Sequence, residues 1–237
     1  MRSTLIRTVI AAGLCGAVGA AAQETMPSAE AVLRELKAGN DHHVAKRYQH
    51  PHQNAARQRE LASGQHPHAV ILSCADSRVA PEIILDQGLG DLFDVRVAGN
   101  IAGDAELASI EYAAEHLHTP LLVVMGHQKC GAVTAAADAG EASGHLPSLL
   151  AMIRPAVEKA RGRSGDLVEN AVRINVENVV QQVRASRPVL QGMIDHGELT
   201  VIGAVYSLDT GKVAWLQQAS TQSAAIARSM SPSSCAH

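Results

Sequence analysis

Aromatic side chains are scarce in this sequence. They account for 2% of the 237 residues and comprise three Tyr, one Phe and one Trp. Proteins that bind single-stranded nucleic acid stack the bases on aromatic side chains, and nucleic-acid-binding surfaces in general are strongly basic. Because the formal net charge is −3, the composition argues against a nucleic-acid partner.

Several motifs that would indicate other functions are also missing. The sequence contains no glycine-rich loop of the dinucleotide-binding or phosphate-binding type and no internal repeat. After the N-terminal segment, cysteine occurs only at Cys74, Cys130 and Cys235. Three thiols do not make a disulfide framework, and the lack of a Cys-x-x-Cys motif makes a thiol redox protein a weak hypothesis.

The longest apolar run lies at the N-terminus. Arg2 and Arg7 precede a small-residue-rich apolar stretch at 9–20, which ends in an alanine triplet. This pattern predicts a secretory signal peptide over residues 1–22. The run is shorter than the roughly 20 residues of a spanning helix, and no later segment is apolar enough to cross a membrane. We therefore expect an exported, periplasmic protein with no stable membrane span.

From residue 69 onward, apolar strands alternate with helical patterns. Strands that read apolar throughout indicate a parallel sheet covered on both faces. Asp209-Thr210-Gly211 is typical of a tight turn and predicts an antiparallel edge strand at 213–216. The predicted fold is α/β: a central, mostly parallel β-sheet with an antiparallel edge strand, flanked by helices, with an N-terminal helical arm. The other strands are expected at 69–73, 93–97, 121–125 and 201–208.

The arm is predicted from two short helical patterns. Ser28 is a plausible N-cap for the first helix, which Gly39-Asn40 is expected to end. A second helix is expected at 53–63, and both have narrow apolar faces that suit packing on another body. After the signal peptide we therefore expect three parts: the helical arm (23–64), an α/β domain (65–218) and a flexible tail (219–237).

Two motifs carry the chemistry of metal ligands. They are Cys74-Ala75-Asp76-Ser77-Arg78 and Gly126-His127-Gln128-Lys129-Cys130-Gly131, and each directly follows a predicted strand. Neighbouring strands lie about 4.8 Å apart, so the carboxyl ends of two such strands could bring Cys74, His127 and Cys130 onto one ion. Two thiolates and one imidazole suit zinc and leave a fourth position for water or a carboxylate, which is typical of a catalytic site.

Asp76 and Arg78 are candidate catalytic residues. Asp76 lies two residues beyond Cys74, and Arg78 lies two further on. A bidentate ion pair with Arg78 would hold the carboxylate, which could then orient a water molecule by accepting its hydrogen bond. An Asp that caps the following turn beside a solvated Arg is the alternative interpretation, and the neighbouring Cys74 disfavours it.

The two motifs, in this order, resemble the β-class carbonic anhydrases. The resemblance runs from about Ser28 to Ala219 and includes Arg96-Val97-Ala98-Gly99-Asn100 and Glu111-Tyr112-Ala113. It implies zinc-dependent, reversible hydration of carbon dioxide to bicarbonate and a proton, with one Zn²⁺ per subunit. It also implies a homodimer or a dimer of dimers, in which the N-terminal helices embrace the partner subunit. Residues 65–218 would then be the zinc-binding catalytic domain.

The resemblance also implies roles for particular residues. Cys74, His127 and Cys130 would be the metal ligands. Asp76 would be a conditional fourth ligand, because in this family the same Asp can move onto the zinc when its pairing with the Arg, here Arg78, is broken.

A substrate pocket is implied in the same way. In plant-like members of the family, a Gln, a Phe and a Tyr line the carbon dioxide site, and by position these resemble Gln65, Phe93 and Tyr112. Ordinary packing is the alternative for Phe93 and Tyr112, and a solvent-facing side chain is the alternative for Gln65.

One position departs from part of the family. Members that are inhibited by a second, non-catalytic bicarbonate carry a Trp three residues before the first Cys, where this chain has Ile71. Arg96 and Tyr206 resemble the other residues of that pocket. Without the Trp, we expect an open site with Asp76 off the metal.

Two alternative functions remain open. Related folds with the same ligands hydrolyse carbon disulfide or carbonyl sulfide, usually through a narrower apolar tunnel. A non-catalytic zinc store or sensor would instead need a fourth tight protein ligand, such as Asp76 held permanently on the metal.

Overall fold

A computed structural model describes residues 26–138 and 142–216 of the chain. The predictions of a signal peptide at 1–22 and of a tail at 219–237 lie outside these residues. The strands are β1 (Ala69–Ser73), β2 (Leu92–Arg96), β3 (Leu121–His127), β4 (Thr200–Tyr206) and β5 (Val213–Trp215). The helices are α1 (Ala29–Ala45), α2 (Ala55–Leu61), α3 (Pro81–Ile84), α4 (Asp104–Glu111), α5 (Gly131–Ala137), α6 (Leu146–Ala160), α7 (Leu167–Ala185) and α8 (Val189–Asp195).

The strands described above form a single sheet in the order β2-β1-β3-β4-β5. β1 pairs in parallel with β2 and with β3, and β3 pairs in parallel with β4. β5 pairs antiparallel with β4 at the edge of the sheet. The predicted fold class, a mostly parallel α/β sheet with an antiparallel edge strand and flanking helices, is therefore confirmed.

The sheet is buried on both faces because its central strands are apolar throughout. Alternate β1 residues point to opposite faces, so Ala69 and Ile71 join one apolar cluster while Val70 and Leu72 join another. The first cluster contains side chains from α1, α5 and α6, and the second contains side chains from α4 and α8. A continuous run of apolar residues is what a strand covered on both faces requires.

The first helix of the N-terminal arm begins as the sequence predicts and ends later. The Ser28 hydroxyl accepts a hydrogen bond from the Ala31 N–H at 3.2 Å, which confirms Ser28 as the N-cap. The prediction that Gly39-Asn40 ends this helix is wrong, because α1 continues to Ala45. A Cβ at Gly39 would overlap the backbone of Leu85, so this glycine serves close packing of α1 rather than a helix end.

Asn40 attaches α1 to two other parts of the fold. Its amide nitrogen donates to the carbonyl oxygens of Ile84 at 3.1 Å and Gly211 at 3.0 Å. Its side-chain oxygen accepts a hydrogen bond from the N–H of Val213 at 2.9 Å. The arm is thereby joined to the end of α3 and to the turn that leads into β5.

No helix of the described ranges, 26–138 and 142–216, has both the length and the apolar character needed to cross a membrane.

Candidate metal centre

The carboxyl ends of β1 and β3 bring three potential metal ligands together. Ser73, the last residue of β1, is in register with Met125 of β3, so Cys74 begins its loop beside the end of β3 that carries His127. The ligand atoms of Cys74, His127 and Cys130 all lie within 4.8 Å of one another, and all three residues are buried. The grouping predicted from the two motifs is therefore present in the fold.

The imidazole of His127 is oriented as a ligand should be. Its Nδ1 lies 2.9 Å from the carbonyl oxygen of Gln128, and because a carbonyl can only accept, Nδ1 carries the proton. Nε2 is therefore left with a free lone pair. It is buried without a hydrogen-bond partner among the described residues, and a buried polar atom of this kind needs a partner. A metal ion between the two thiols would supply it.

Backbone N–H groups converge on both sulfurs. The N–H of Gly99 donates to Sγ of Cys74 at 3.3 Å, and Cys130 precedes the first residue of α5, with the N–H groups of Ala132 and Val133 facing its sulfur. The pKa of Cys74 is lowered to about 4, chiefly because the Cys130 thiol donates a hydrogen bond to it and because backbone N–H groups add to that stabilisation. Proximity to Cys74 raises the pKa of Cys130. These contacts favour a thiolate at Cys74.

Asp76 lies beside the three ligands and is held by Arg78. Nε of Arg78 donates to Oδ1 of Asp76 at 2.9 Å, and Nη2 donates to Oδ2 at 2.7 Å. The backbone N–H of Arg78 also donates to Oδ1, at 2.9 Å. These hydrogen bonds hold the pKa of the Asp76 carboxyl well below its usual range. Oδ2 is 3.9 Å from Nε2 of His127, so an anionic carboxylate lies next to the ligand group.

The three predicted substrate residues lie at the other end of the sheet. Phe93 is in register with Val70, three residues before the end of β1. It therefore lies about 10 Å along the strand from the metal edge, by which we mean the carboxyl ends of the strands, where Cys74, His127 and Cys130 meet. The rings of Phe93 and Tyr112 have centroids 6.1 Å apart, and Tyr112 is 47% exposed. Gln65 is exposed in the loop before β1. Phe93 and Tyr112 are thus close to each other, but within one subunit Phe93 is far from the metal edge.

The same arrangement of fold and motifs occurs in known proteins. The family model for carbonic anhydrase matches residues 69–213 of this chain. Carbonic anhydrase 2 of Mycobacterium tuberculosis is 42% identical over 186 residues, which cover 77% of this chain and 90% of that protein. The chain belongs to the carbonic anhydrase family. The enzyme of Mycolicibacterium smegmatis is 38% identical over 194 residues, which cover 79% of this carbonic anhydrase and 94% of its relative.

Solved structures place this carbonic anhydrase in the β class. The Coccomyxa β-carbonic anhydrase in complex with acetazolamide is 29% identical and has a TM-score of 0.63, covering 78% of this chain and 85% of that one. Tetrameric β-carbonic anhydrases of Sordaria macrospora give a TM-score of 0.63 at 26% identity, covering 79% and 97%. The resemblance stated from the two motifs is confirmed. Carbonic anhydrases are lyases, and reversible hydration of carbon dioxide is the general reaction of the family.

Arg96 and Tyr206, the residues that resemble part of a second bicarbonate pocket, are bonded to protein groups. Arg96 donates to the carbonyl oxygens of Cys74 at 3.2 Å and Asp76 at 2.8 Å. The Tyr206 hydroxyl is 3.1 Å from Nε2 of His43. Arg96 of this carbonic anhydrase therefore braces the loop that carries the first ligand.

The roles of two residues near the candidate metal centre were not predicted from the sequence. Gly99 acts through its backbone N–H, and a backbone donor leaves no signal in residue type. Asn175 donates to the carbonyl oxygen of Gly99 at 2.9 Å. A signal for Asn175 did exist, since it is a polar residue at a buried position on the apolar face of α7, between Val172 and Val176.

Proposed function

We propose that this carbonic anhydrase catalyses the zinc-dependent, reversible hydration of carbon dioxide to bicarbonate and a proton. One Zn²⁺ per subunit would be held by Cys74, His127 and Cys130. The observation that carries the proposal is the buried group of these three side chains, within 4.8 Å of one another, with an unpaired Nε2 on His127. Two thiolates and an imidazole are a donor set that zinc accepts, with a fourth position left open.

The surroundings of the group suit a catalytic site that solvent can reach. Cys74 is 4% exposed and His127 and Cys130 are each 1% exposed, whereas the side chain of Asp76 is 17% exposed and that of Arg78 is 51% exposed. Solvent and substrate would therefore approach from the side of Asp76. A bound zinc ion supplies Lewis acidity that lowers the pKa of water, an effect for which the three-histidine carbonic anhydrases are the reference case.

Asp76 and Arg78 would position the reacting water. The Asp76 carboxylate is anionic because Arg78 donates to both of its oxygens, so it can accept a hydrogen bond from water and orient the attacking oxygen. Arg78 also keeps the carboxylate turned away from the ligand position. The proton released by hydration would pass to solvent or buffer at this exposed side.

A homo-oligomer is the second part of the proposal. Phe93 and Tyr112 lie at the opposite end of the sheet from their own metal edge, and Tyr112 is half exposed. None of the residues of α2 is buried, which suits an arm that covers a partner subunit. We infer that Phe93 and Tyr112, with Gln65, line the substrate site of a neighbouring subunit.

Export to the periplasm is the third part of the proposal. It is supported by Arg2 and Arg7, the apolar stretch at 9–20 and the alanine triplet that follows. Cell fractionation with N-terminal sequencing of the mature protein tests it. A cytosolic protein that retains residues 1–22 would contradict it.

The activity is tested by stopped-flow hydration of carbon dioxide with the purified protein, before and after zinc is removed by a chelator. We expect the rate to fall with zinc content and to return when Zn²⁺ is restored. Cys74→Ser should lose zinc and activity, whereas Cys235→Ser, which changes a thiol outside the ligand set, should keep both. An unchanged rate in the zinc-free protein would disprove the proposal.

The alternatives give different results in the same preparation. A carbon disulfide or carbonyl sulfide hydrolase would turn over those substrates faster than carbon dioxide when all three are assayed side by side. A zinc store or sensor would bind zinc and turn over none of them. The bidentate bond between Arg78 and Asp76 disfavours the store, which needs Asp76 as a permanent ligand.

A further inference from the structure

A backbone N–H from outside its own loop donates to the sulfur of Cys74. Gly99 belongs to the short turn Ala98–Asn100 that follows β2, and its N–H donates to Sγ of Cys74 at 3.3 Å. Gly99 has a φ of 73°, in the left-handed region that favours glycine. A Cβ at this position would lie 2.5 Å from Cδ1 of Ile153. The turn can approach the sulfur because residue 99 has no side chain.

The free rotation that glycine allows must be restrained if its N–H is to stay on the sulfur. Nδ2 of Asn175 donates to the carbonyl oxygen of Gly99 at 2.9 Å, and Asn175 is 2% exposed. This amide is buried on the apolar face of α7, where a polar group is costly unless it is hydrogen-bonded. The hydrogen bond fixes the carbonyl of Gly99 and with it the peptide plane between Gly99 and Asn100. The plane between Ala98 and Gly99, which carries the N–H on the sulfur, meets that plane at the Cα of Gly99, so anchoring the carbonyl also restrains Gly99 beside Cys74.

We propose that Asn175 is a positioning residue for the metal centre. It would hold Gly99 so that the N–H of that residue stays on Sγ of Cys74, and it would act only through this backbone link. The inference rests on the proposed metal site, because its effect is exerted on a sulfur that binds the metal.

An N–H donor withdraws electron density from a metal-bound thiolate. A thiolate that loses this hydrogen bond donates more charge to the metal, which makes the metal a weaker Lewis acid. It is also less well oriented, and removal of outer partners of ligands typically weakens metal binding about 10–100-fold. Asn175 does not touch the sulfur and acts through a second hydrogen bond, the one to Gly99. We therefore expect a loss of metal affinity at the lower end of this range.

The alternative is that Asn175 only fastens α7 to the turn. Such a structural role would change the stability of the fold and leave the electronic state of the sulfur as it is. A spectroscopic readout of the metal–sulfur bond therefore separates the two roles.

The test uses cobalt-substituted full-length protein and three variants. Asn175→Asp keeps the size of the side chain and removes the donor, and Asn175→Leu removes the donor without adding a charge. Asn178→Asp is the matched control: Asn178 lies one turn further along α7, and its Oδ1 accepts a hydrogen bond from Nζ of Lys159 at 2.8 Å. Circular dichroism establishes which variants are folded.

For the folded Asn175 variants, we expect the sulfur-to-cobalt charge-transfer band to move to longer wavelength. We also expect the zinc dissociation constant, measured by competition with a chromophoric chelator, to rise about 10-fold. The control should match the wild type in both. Folded Asn175 variants with the wild-type band and dissociation constant would overturn the inference.

A measurement on the wild type keeps the inference testable even if every Asn175 variant unfolds. In protein loaded with ¹¹³Cd, a hydrogen bond from the Gly99 N–H to a metal-bound sulfur should give a scalar coupling between the amide proton and the metal. Absence of this coupling in the loaded protein would also overturn the inference. Failure of the wild type to bind Zn²⁺, Co²⁺ or Cd²⁺ would instead contradict the proposed metal site itself.

Discussion

Oδ2 of Asp76 lies 3.9 Å from Nε2 of His127, a potential metal ligand. The same oxygen accepts a hydrogen bond from Nη2 of Arg78 at 2.7 Å. We infer that the carboxylate is close enough to the ligand group to reach a metal bound there, and that the guanidinium of Arg78 holds it back. A metal bound there and the Arg78 guanidinium would therefore compete for the Asp76 carboxylate.

Arg78→Ala should release Asp76 and slow the reaction. The freed carboxylate would be expected to take the open position on the metal, so we predict a fall in hydration rate of about 100-fold with zinc content unchanged. Stopped-flow assays and metal analysis of the same preparation measure both quantities. Arg34→Ala is the control, because it removes an exposed Arg–Glu pair with a 2.9 Å contact remote from the metal edge. An Arg78→Ala enzyme with full activity would show that the pairing does not keep Asp76 off the metal.

Asp94 should make the fold less stable as the pH rises. Burial, together with the nearby Glu82 carboxylate, raises the pKa of Asp94 to about 8, against the effect of Arg96. One of its oxygens is buried without a hydrogen-bond partner in the part of the chain that the structure describes. The folded chain thus keeps a proton that the unfolded chain releases near pH 4. The free energy of unfolding should therefore decrease between about pH 4 and pH 8 and level off above that.

Asp94→Asn should remove this dependence. Each unit of pKa shift corresponds to about 1.4 kcal/mol, but solvent around the exposed Glu82 screens part of it, so we expect a gain of about 2 kcal/mol at pH 8 and little change at pH 4. Urea denaturation at the two pH values gives the comparison. Asp41→Asn, at an exposed position on α1, serves as the control. Equal slopes for wild type and Asp94→Asn would contradict the assignment of the effect to Asp94.

Asn40 should be one of the more important residues for the stability of the arm. Asn40→Ala leaves the carbonyls of Ile84 and Gly211 and the N–H of Val213 without their partner. Unpaired buried groups of this kind cost about 1–3 kcal/mol each, and relaxation of the arm reduces the sum. We predict that the free energy of unfolding falls by about 3 kcal/mol in urea titrations. Asn178→Ala, which loses one hydrogen bond to Lys159, should cost less than half as much.

Local pattern was sufficient to predict the position of the candidate metal ligands. β1 and β3 are covered on both faces, which demands apolar residues throughout, and this pattern is visible in the sequence. Parallel neighbours end at the same edge, so the motifs that follow them meet there. The proximity of Cys74 and His127 could therefore be predicted without knowledge of any side-chain packing.

The remaining features depend on contacts that local pattern does not encode. Gly39 and Asn40 have the composition of a helix end, yet they lie inside α1 because Leu85 approaches the one and three backbone groups bind the other. The distance of Phe93 from its own metal edge follows from the register of β2 on β1. That register becomes known only once the strands are paired.

The placement of Phe93 and Tyr112 leads to a test by subunit complementation. Cys74→Ser should abolish the metal site and leave these two residues intact, whereas the double variant Phe93→Ala/Tyr112→Ala should keep the metal and lose the pocket. Each homo-oligomer should be nearly inactive. In a mixed dimer the pocket of the first subunit can complete the metal site of the second, so co-expression should restore about a quarter of wild-type activity for random pairing.

The control for this experiment combines Cys74→Ser with Cys130→Ser. Neither subunit of that pair has a complete ligand set, so no activity should return whichever subunit supplies the pocket. If Phe93 and Tyr112 act on the metal of their own subunit, the first pair should also stay inactive, because its only intact metal site lies in the subunit that lacks both rings. Recovery in the first pair and none in the second can arise only if one subunit supplies rings to the metal of another.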